Sequence, residues 1–595
     1  MRQYQEEYIA NTKSITELML HTELIGLPPE EICRRLRMKG IGVRELQERN
    51  NRILRERLIP TLDNILTAGE EEIDALVEFT DALLQRQLDA GVRYYVCRAL
   101  VSVARVQGNR NLLIKELYMT GMALYGLRST LEGQDDSQFC WRMRMVFGEA
   151  AGYIRYYDEI DDADTRGYIH RSMGNLALGI AGHDSRTAEK KMEVLRRSLQ
   201  VLTDPVYQEK TPQLPWNTYI YKQHQERTTL MEYLRGGEVT ARIVGEVMES
   251  AQYVYDRQVK NARERGMPLE ARWLYTYYAA SYYCGVYTLP ELLHKIEEVY
   301  ASASFSDYSV NGMYGNIFLP AIYSVHLGKD PELLERKKPV VLMMYRRMKE
   351  YLKRVPPGEN TGSLSSYVRG SMGAYIEYPG ENSFRDYVEE VIAGRQPETY
   401  AHSYMVSRLA SLIFDEMMET MPEQLVGVRG TKSVGELQER REEVERFLYD
   451  CCILHDIGKL KMLELYELPN RGWFAEEEEL YRFHTVYGWQ MLTRYDSTKD
   501  LAPAALGHHR WFDGQGGFPE AYHREQDAVL TDIVSVADFI DEICNPGENY
   551  QCETVCPEEM LEQLRAFAGA RFSPFAAEAA VRREEDIKKV LTDSL

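Results

Sequence analysis

Apolar residues recur every three to four positions along most of this chain. That spacing places them on one face of a helix. LLIKELYMTGMALYGL (113–128) and VLRRSLQVL (194–202) carry the pattern, each predicting one helix. ARWLYTYYAASYYCGVYTLPELLHKIEEVYASA (271–303) predicts two, parted near Pro290. PVVLMMYRRMKEYLKRV (339–355) predicts another, stopped by Pro356, Pro357 and Gly358. Alternation of apolar and polar residues long enough to build a sheet is scarce. The predicted fold class is therefore all-α, with an N-terminal helical array or bundle followed by a C-terminal helical domain.

The segment 358–382, rich in Gly, Ser and Asn, reads as a linker or loop. It places a domain boundary near 385, with a helical regulatory or interaction region over 1–384 and a second domain over 385–595. Helical pairs joined by short turns suggest a solenoid, weakly similar to tetratricopeptide arrays and divisible into two subdomains. A non-repeating bundle fits the same pattern. A polar stretch at 421–446 begins with loop residues and turns into a charged helix near Val434. Glu476 to Glu479 read as the solvated start of a helix. The 41 tyrosines read as packing residues rather than as a ligand groove.

Composition narrows the function classes. The 595 residues carry a formal net charge of −21, which disfavours a binder of nucleic-acid polymers. A small anionic substrate stays compatible, because bound dications dominate a local field. The N-terminal residues lack the basic and apolar regions of a secretory leader, and no apolar run approaches the roughly 20 residues a membrane helix needs. A cytoplasmic location without membrane contact is expected. Nine cysteines make no disulfide framework. Cys544, Cys552 and Cys556 raise a structural zinc site, against which free thiols are the simpler reading.

Chemistry concentrates between His402 and Asp538. The order is His402, the doublet His455-Asp456, His484, the pair His508-His509, and Asp538. Imidazoles and carboxylates are the donors that divalent transition metals take. Seven exceed what one ion needs and suit two ions sharing a bridging group. Such a pair acidifies a shared water, the nucleophile that a phosphodiester hydrolase uses. Asp456 and Asp538 both follow strongly apolar runs (CCIL, VSVA), where an unpartnered carboxylate is costly. Glu398 lies one helical turn before His402, on the same face.

The string HDIGK (455–459), His484, the pair His508-His509 followed by DGQGGFP (513–519), and ADFIDEI (537–543) together resemble the HD-GYP branch of the HD phosphohydrolases. The resemblance covers about 395–580, including RFSPFAAEAAV (571–581), similar to the family's closing helix. It implies that His402, His455, Asp456 and Asp538 hold one end of a metal centre. His484, His508 and His509 hold the other, with Asp456 as the bridge. It also implies a third ion at Glu398 in some members, and a role for Lys459 against the scissile phosphate. Asp513 and Gly514 match the retained part of the substrate loop. Iron or manganese is the expected metal, with nickel and zinc compatible. The implied activity is hydrolysis of a cyclic dinucleotide, cyclic di-GMP above all, by a hydroxide shared between the metals.

Two departures stand out. The family's GYP reads Gly517-Phe518-Pro519, with Gly516 as an extra residue, so the ring is kept and its hydroxyl lost. After Asp541 the stretch EICNPGENYQ lacks the family's arginine. Two alternatives follow: an HD phosphohydrolase acting on another nucleotide or phosphoester, or an inactive sensor or scaffold. The helical N-terminal region is expected to receive a protein partner.

Overall fold

In the computed structural model the described residues run from 2 to 593, apart from 20–21, 25, 87, 129–137, 181–183, 232–240, 329, 357–360, 379, 467–468, 523, 525–527 and 546–553. Helices account for nearly all of the regular structure, as the apolar spacing predicts. Among the described residues the only β pairing is three isolated bridges, Tyr378 with Asn382, Arg510 with Gly517 and Ala568 with Phe572. No helix among them is long and apolar enough to cross a membrane.

The chain forms two compact units. The first comprises Met1–Ile9 and Ile53–Arg336. Its helices pack chiefly on their neighbours in sequence: Ala90–Gln107 on Arg110–Arg128, that on Gln138–Gly152, then Ala163–Asn175 and Ser185–Leu202. Local chemistry fixes where they begin. Asp184 caps Ser185–Leu202 by accepting from the Thr187 N–H at 2.8 Å, and Ala188, Met192, Leu195 and Leu202 then line its buried face. Thr288 and Glu291 form a reciprocal capping box at the start of Leu289–Ser302. With the short helix Pro205–Lys210 set aside, alternate helices begin at Glu70, Arg110, Ala163 and Trp216, spacings longer than the repeat of about 34 residues that defines tetratricopeptide arrays.

The second unit comprises Ala10–Arg52 and Lys337–Leu595. At its centre lies Pro397–Thr420, buried on most faces and packed by Arg441–Leu454, Ala528–Cys544 and Pro574–Arg582. The packing therefore divides near 336, not near 385, and draws in a stretch from the N-terminal end of the chain. The reason is visible in the segment read as a linker. Thr361–Gly373 is a helix, burying Leu364, Val368 and Met372 at helical spacing beneath a glycine- and serine-rich composition. It packs on Ile457–Met462, the segment that follows the HD doublet. Two further readings change. Pro339 sits inside the helix Pro331–Leu352 rather than at its start. Glu477, expected in solvent, is buried and receives both Nη atoms of Arg471, at 2.8 and 2.9 Å.

Cys544 and Cys556 are free thiols, and Cys552 lies outside the described residues.

Candidate metal centre

Five segments deliver the seven predicted donors to one place. His402 projects from Pro397–Thr420, whose first residue is a proline that fits the N1 position. His455 ends Arg441–Leu454 in helical conformation, and Asp456 then leaves it at φ −101°, ψ 11°. That break lets two adjacent side chains approach one centre from different directions. His484 opens the helix His484–Leu492, His508 and His509 follow Ala502–Gly507, and Asp538 sits within Ala528–Cys544. Gly458 makes the convergence possible. A β-carbon there would stand 1.8 Å from the carbonyl oxygen of His484 and 2.7 Å from the Gly488 nitrogen. The backbone after the doublet thus lies directly against the start of the His484 helix.

The donors form two groups. Ligand atoms of His402, His455 and Asp456 lie within 4.8 Å of one another, and so do those of His484, His508 and His509. Asp456 faces both. Its Oδ2 is 3.3 Å from His455 Nε2 and 3.6 Å from His402 Nε2. Its Oδ1 is 3.3 Å from His484 Nε2 and 3.6 Å from His508 Nε2. Asp538 repeats the arrangement more loosely, with Oδ1 3.0 Å from His402 Nε2 and 3.6 Å from His455 Nε2, and Oδ2 3.8 Å from His509 Nδ1.

Hydrogen bonds on the far side of each ring decide which nitrogen faces the centre. His402 Nδ1 pairs with Asp541 Oδ2 at 2.7 Å. His455 Nδ1 meets the Cys452 carbonyl at 2.7 Å, and His484 Nδ1 the Tyr481 carbonyl at 2.7 Å. His508 Nδ1 lies 3.1 Å from the carbonyls of Ala504 and Ala505. A ring that donates its Nδ1 hydrogen to an oxygen keeps the Nε2 lone pair for a cation. His509 is turned the other way, with Nε2 3.3 Å from the Tyr481 hydroxyl and Nδ1 toward Asp538. Asp541, absent from the predicted donors, is the residue that orients the His402 ring. Its sequence signal is the second buried acid of ADFID.

Charge follows from burial and proximity. Burial is the largest influence on Asp456 and raises its pKa, but Lys459 and His455 outweigh it and hold the carboxyl well below the usual range. Asp538 is likewise held low, by His402 and His455 against its burial. Burial, together with the nearby His508 and Lys459, depresses His484 to about 3, so it is a neutral imidazole at pH 7. His509 is also pushed well down, by burial and by His508.

His455 moves the other way. Burial works against its charged form, yet Asp456 and Asp538 raise it to about 9. In the metal-free protein this protonated His455 contributes stability that is complete below its ordinary value of 6.5 and lost as pH rises through about 9. A metal takes only the neutral ring. Metal uptake at pH 7.5 is therefore expected to release a proton from His455, with affinity rising toward pH 9 and then levelling. Calorimetry in buffers of different ionisation enthalpy measures this release. A proton count of zero would remove His455 from the ligand set.

The donor set fits divalent cations on a second ground. His455 Nε2 and Asp456 Oδ1 are buried and make no hydrogen bond within the protein. Buried polar atoms without partners are rare, and both of these point into the cluster. Of the other predicted residues, Lys459 is buried with its ammonium 2.5 Å from Asp456 Oδ2. Glu398 is half-buried in the first turn of the His402 helix and belongs to neither ligand group. Asp513 is exposed, its Oδ1 accepting from the Gln515 N–H at 2.8 Å, and Gly514 has φ +71° in the same turn. The Phe518 ring lies 4.7 Å from that of His509.

A fold of packed helices whose histidines and aspartates converge in this order has a known counterpart. Residues 399–543 match the family model described as the HD domain, so an HD domain lies in the C-terminal part of the chain, behind a helical region. A similar protein is the cyclic di-GMP phosphodiesterase of Thermotoga maritima, 30% identical over 139 residues. The likeness covers 23% of this chain and 37% of that protein, so the chain spans little more than a third of the length of the curated relative it matches.

Proposed function

We propose that this chain is a metal-dependent phosphodiesterase of the HD-GYP type that opens a cyclic dinucleotide, cyclic di-GMP first among them. The observation that carries this reading is Asp456, whose two oxygens face two separate groups of histidines. One carboxylate placed so could serve as a ligand on both sides. Dications held there would supply Lewis-acid charge to a phosphodiester and acidity to a bound water.

The protein's own groups do the rest. Neutral His484 and His509 offer lone pairs without adding charge. Asp541 holds His402 in one orientation. Lys459, buried beside Asp456, places a positive point charge where an anionic phosphoryl oxygen approaches. The net charge of −21 supports a small anionic substrate over a polymer. The named activity of the Thermotoga maritima protein supports a cyclic dinucleotide. Free cysteines are consistent with a cytoplasmic setting. The neighbour-packed helices of the first unit are proposed to receive a protein partner, since such arrays offer extended surfaces.

A second reading keeps the chemistry and changes the substrate to another nucleotide or phosphoester. The absence of a basic residue in EICNPGENYQ, directly after Asp541, favours it. The deciding experiment incubates manganese- or iron-loaded protein with a panel of cyclic dinucleotides and with a chromogenic diester. Linear dinucleotide or mononucleotide from cyclic di-GMP supports the first reading. Cleavage of the chromogenic diester alone supports the second, and a loaded protein inert toward every substrate overturns both.

A further inference from the structure

The segment Ala10–Arg52 lies outside the part of the chain that matches the HD domain, yet it packs within the same compact unit. Its long helix, Pro29–Ile53, meets the chain beside His402 near its start and the 470–472 loop near its end. Near its start, Glu30 accepts from the Tyr404 hydroxyl, Cys33 Sγ lies 3.6 Å from the Ala401 carbonyl, and Arg37 Nη1 donates to the Leu591 carbonyl at 2.8 Å. Ala401 and Tyr404 flank His402.

At its far end two consecutive asparagines grip a loop. The fully buried Asn50 donates from Nδ2 to the Asn470 carbonyl at 2.9 Å, while its Oδ1 accepts from Asn11 at 3.0 Å. Asn51 Oδ1 accepts the Gly472 N–H at 2.8 Å. The two bonds hold the backbone on either side of Arg471, which is itself fixed by Glu477. The next residue, Trp473, lies between two rings. Its centroid is 5.1 Å from that of Tyr481 and 5.8 Å from that of Tyr466. Tyr481 packs 4.7 Å from the His484 ring and places its hydroxyl 3.3 Å from His509 Nε2. Tyr466 faces the Lys459 ammonium at 5.4 Å.

A continuous set of contacts thus links Asn51 to the histidine-rich half of the site: Gly472, Trp473, Tyr481, then His484 and His509. We propose that Asn51 is a positioning residue of the metal centre, fixing the 470–473 loop so that Trp473 holds Tyr481 against the two histidines. The inference rests on the two-metal reading above. Its chemistry is simple, because the Gly472 N–H needs only an acceptor at that point. Aspartate supplies one and alanine does not.

The test uses full-length protein and cobalt(II) as the probe, titrated while the visible absorption of the bound ion is followed. Wild-type protein is expected to take up two equivalents. Asn51→Ala should bind the first as before and the second about tenfold more weakly, the lower end of what loss of an outer partner costs a metal site. Asn51→Asp should restore the second affinity. Unchanged binding in Asn51→Ala overturns the proposal, as does equal weakening in the alanine and aspartate variants, which would report damage to packing instead. Fewer than two equivalents in the wild type overturns the two-metal reading, and this inference with it.

Discussion

Asp456→Ala is expected to lose both metal equivalents and all hydrolysis above background. The expected fall is more than about 10³-fold, beyond what removal of a single transition-state donor costs. The reason is geometric. Among the described residues only Asp456 presents oxygens within 3.6 Å of nitrogens in both histidine groups, Asp538 reaching His509 at 3.8 Å. Removing one of the histidines leaves the bridge and the other group intact, so single histidine variants should weaken one equivalent. Removing Asp456 takes a ligand from each group at once. Metal analysis of the purified variant separates loss of ligand from loss of catalysis. A variant that still carries two ions and turns over normally would end the assignment of Asp456 as the bridge.

Gly458→Ala is expected to disrupt the site strongly while leaving every donor in place. The added β-carbon meets backbone, the His484 carbonyl at 1.8 Å and the Gly488 nitrogen at 2.7 Å. Flexible side chains can turn away from such a contact, but two backbones must separate. Overpacking of this kind costs about 3 kcal/mol, at the upper end of its usual range. The separation also draws the HD doublet away from His484. Urea unfolding should show the loss of stability, and metal titration should show the histidine-rich group weakened. A midpoint unchanged from the wild type would mean that the two segments do not meet as closely as the structure places them.

Much of the site was legible in the sequence because its residues are chemically distinctive. Histidines and aspartates inside apolar runs are conspicuous, and all seven could be picked out by type and order. What supports them was not legible. Asn50 and Asn51 sit more than 400 positions from the loop they hold, in an unremarkable charged helix. Asp541 is marked in the sequence only as a second acid in an apolar run, and its role as partner of His402 comes from a 2.7 Å contact across 139 positions. The need for glycine at 458 is equally invisible locally, since it comes from a helix that begins at residue 484. The all-α class followed from the spacing of apolar residues. The division of packing did not, because Thr361–Gly373 hides Leu364, Val368 and Met372 among glycines and serines that suggest a loop.

The most direct measurement is anomalous diffraction from crystals grown or soaked with manganese or iron, recorded at the metal edge. Two peaks should appear, one on each side of the Asp456 carboxylate, the first among His402, His455 and Asp538 and the second among His484, His508 and His509. A single peak confined to one histidine group, or metal bound elsewhere with this cluster empty, would contradict the two-metal centre.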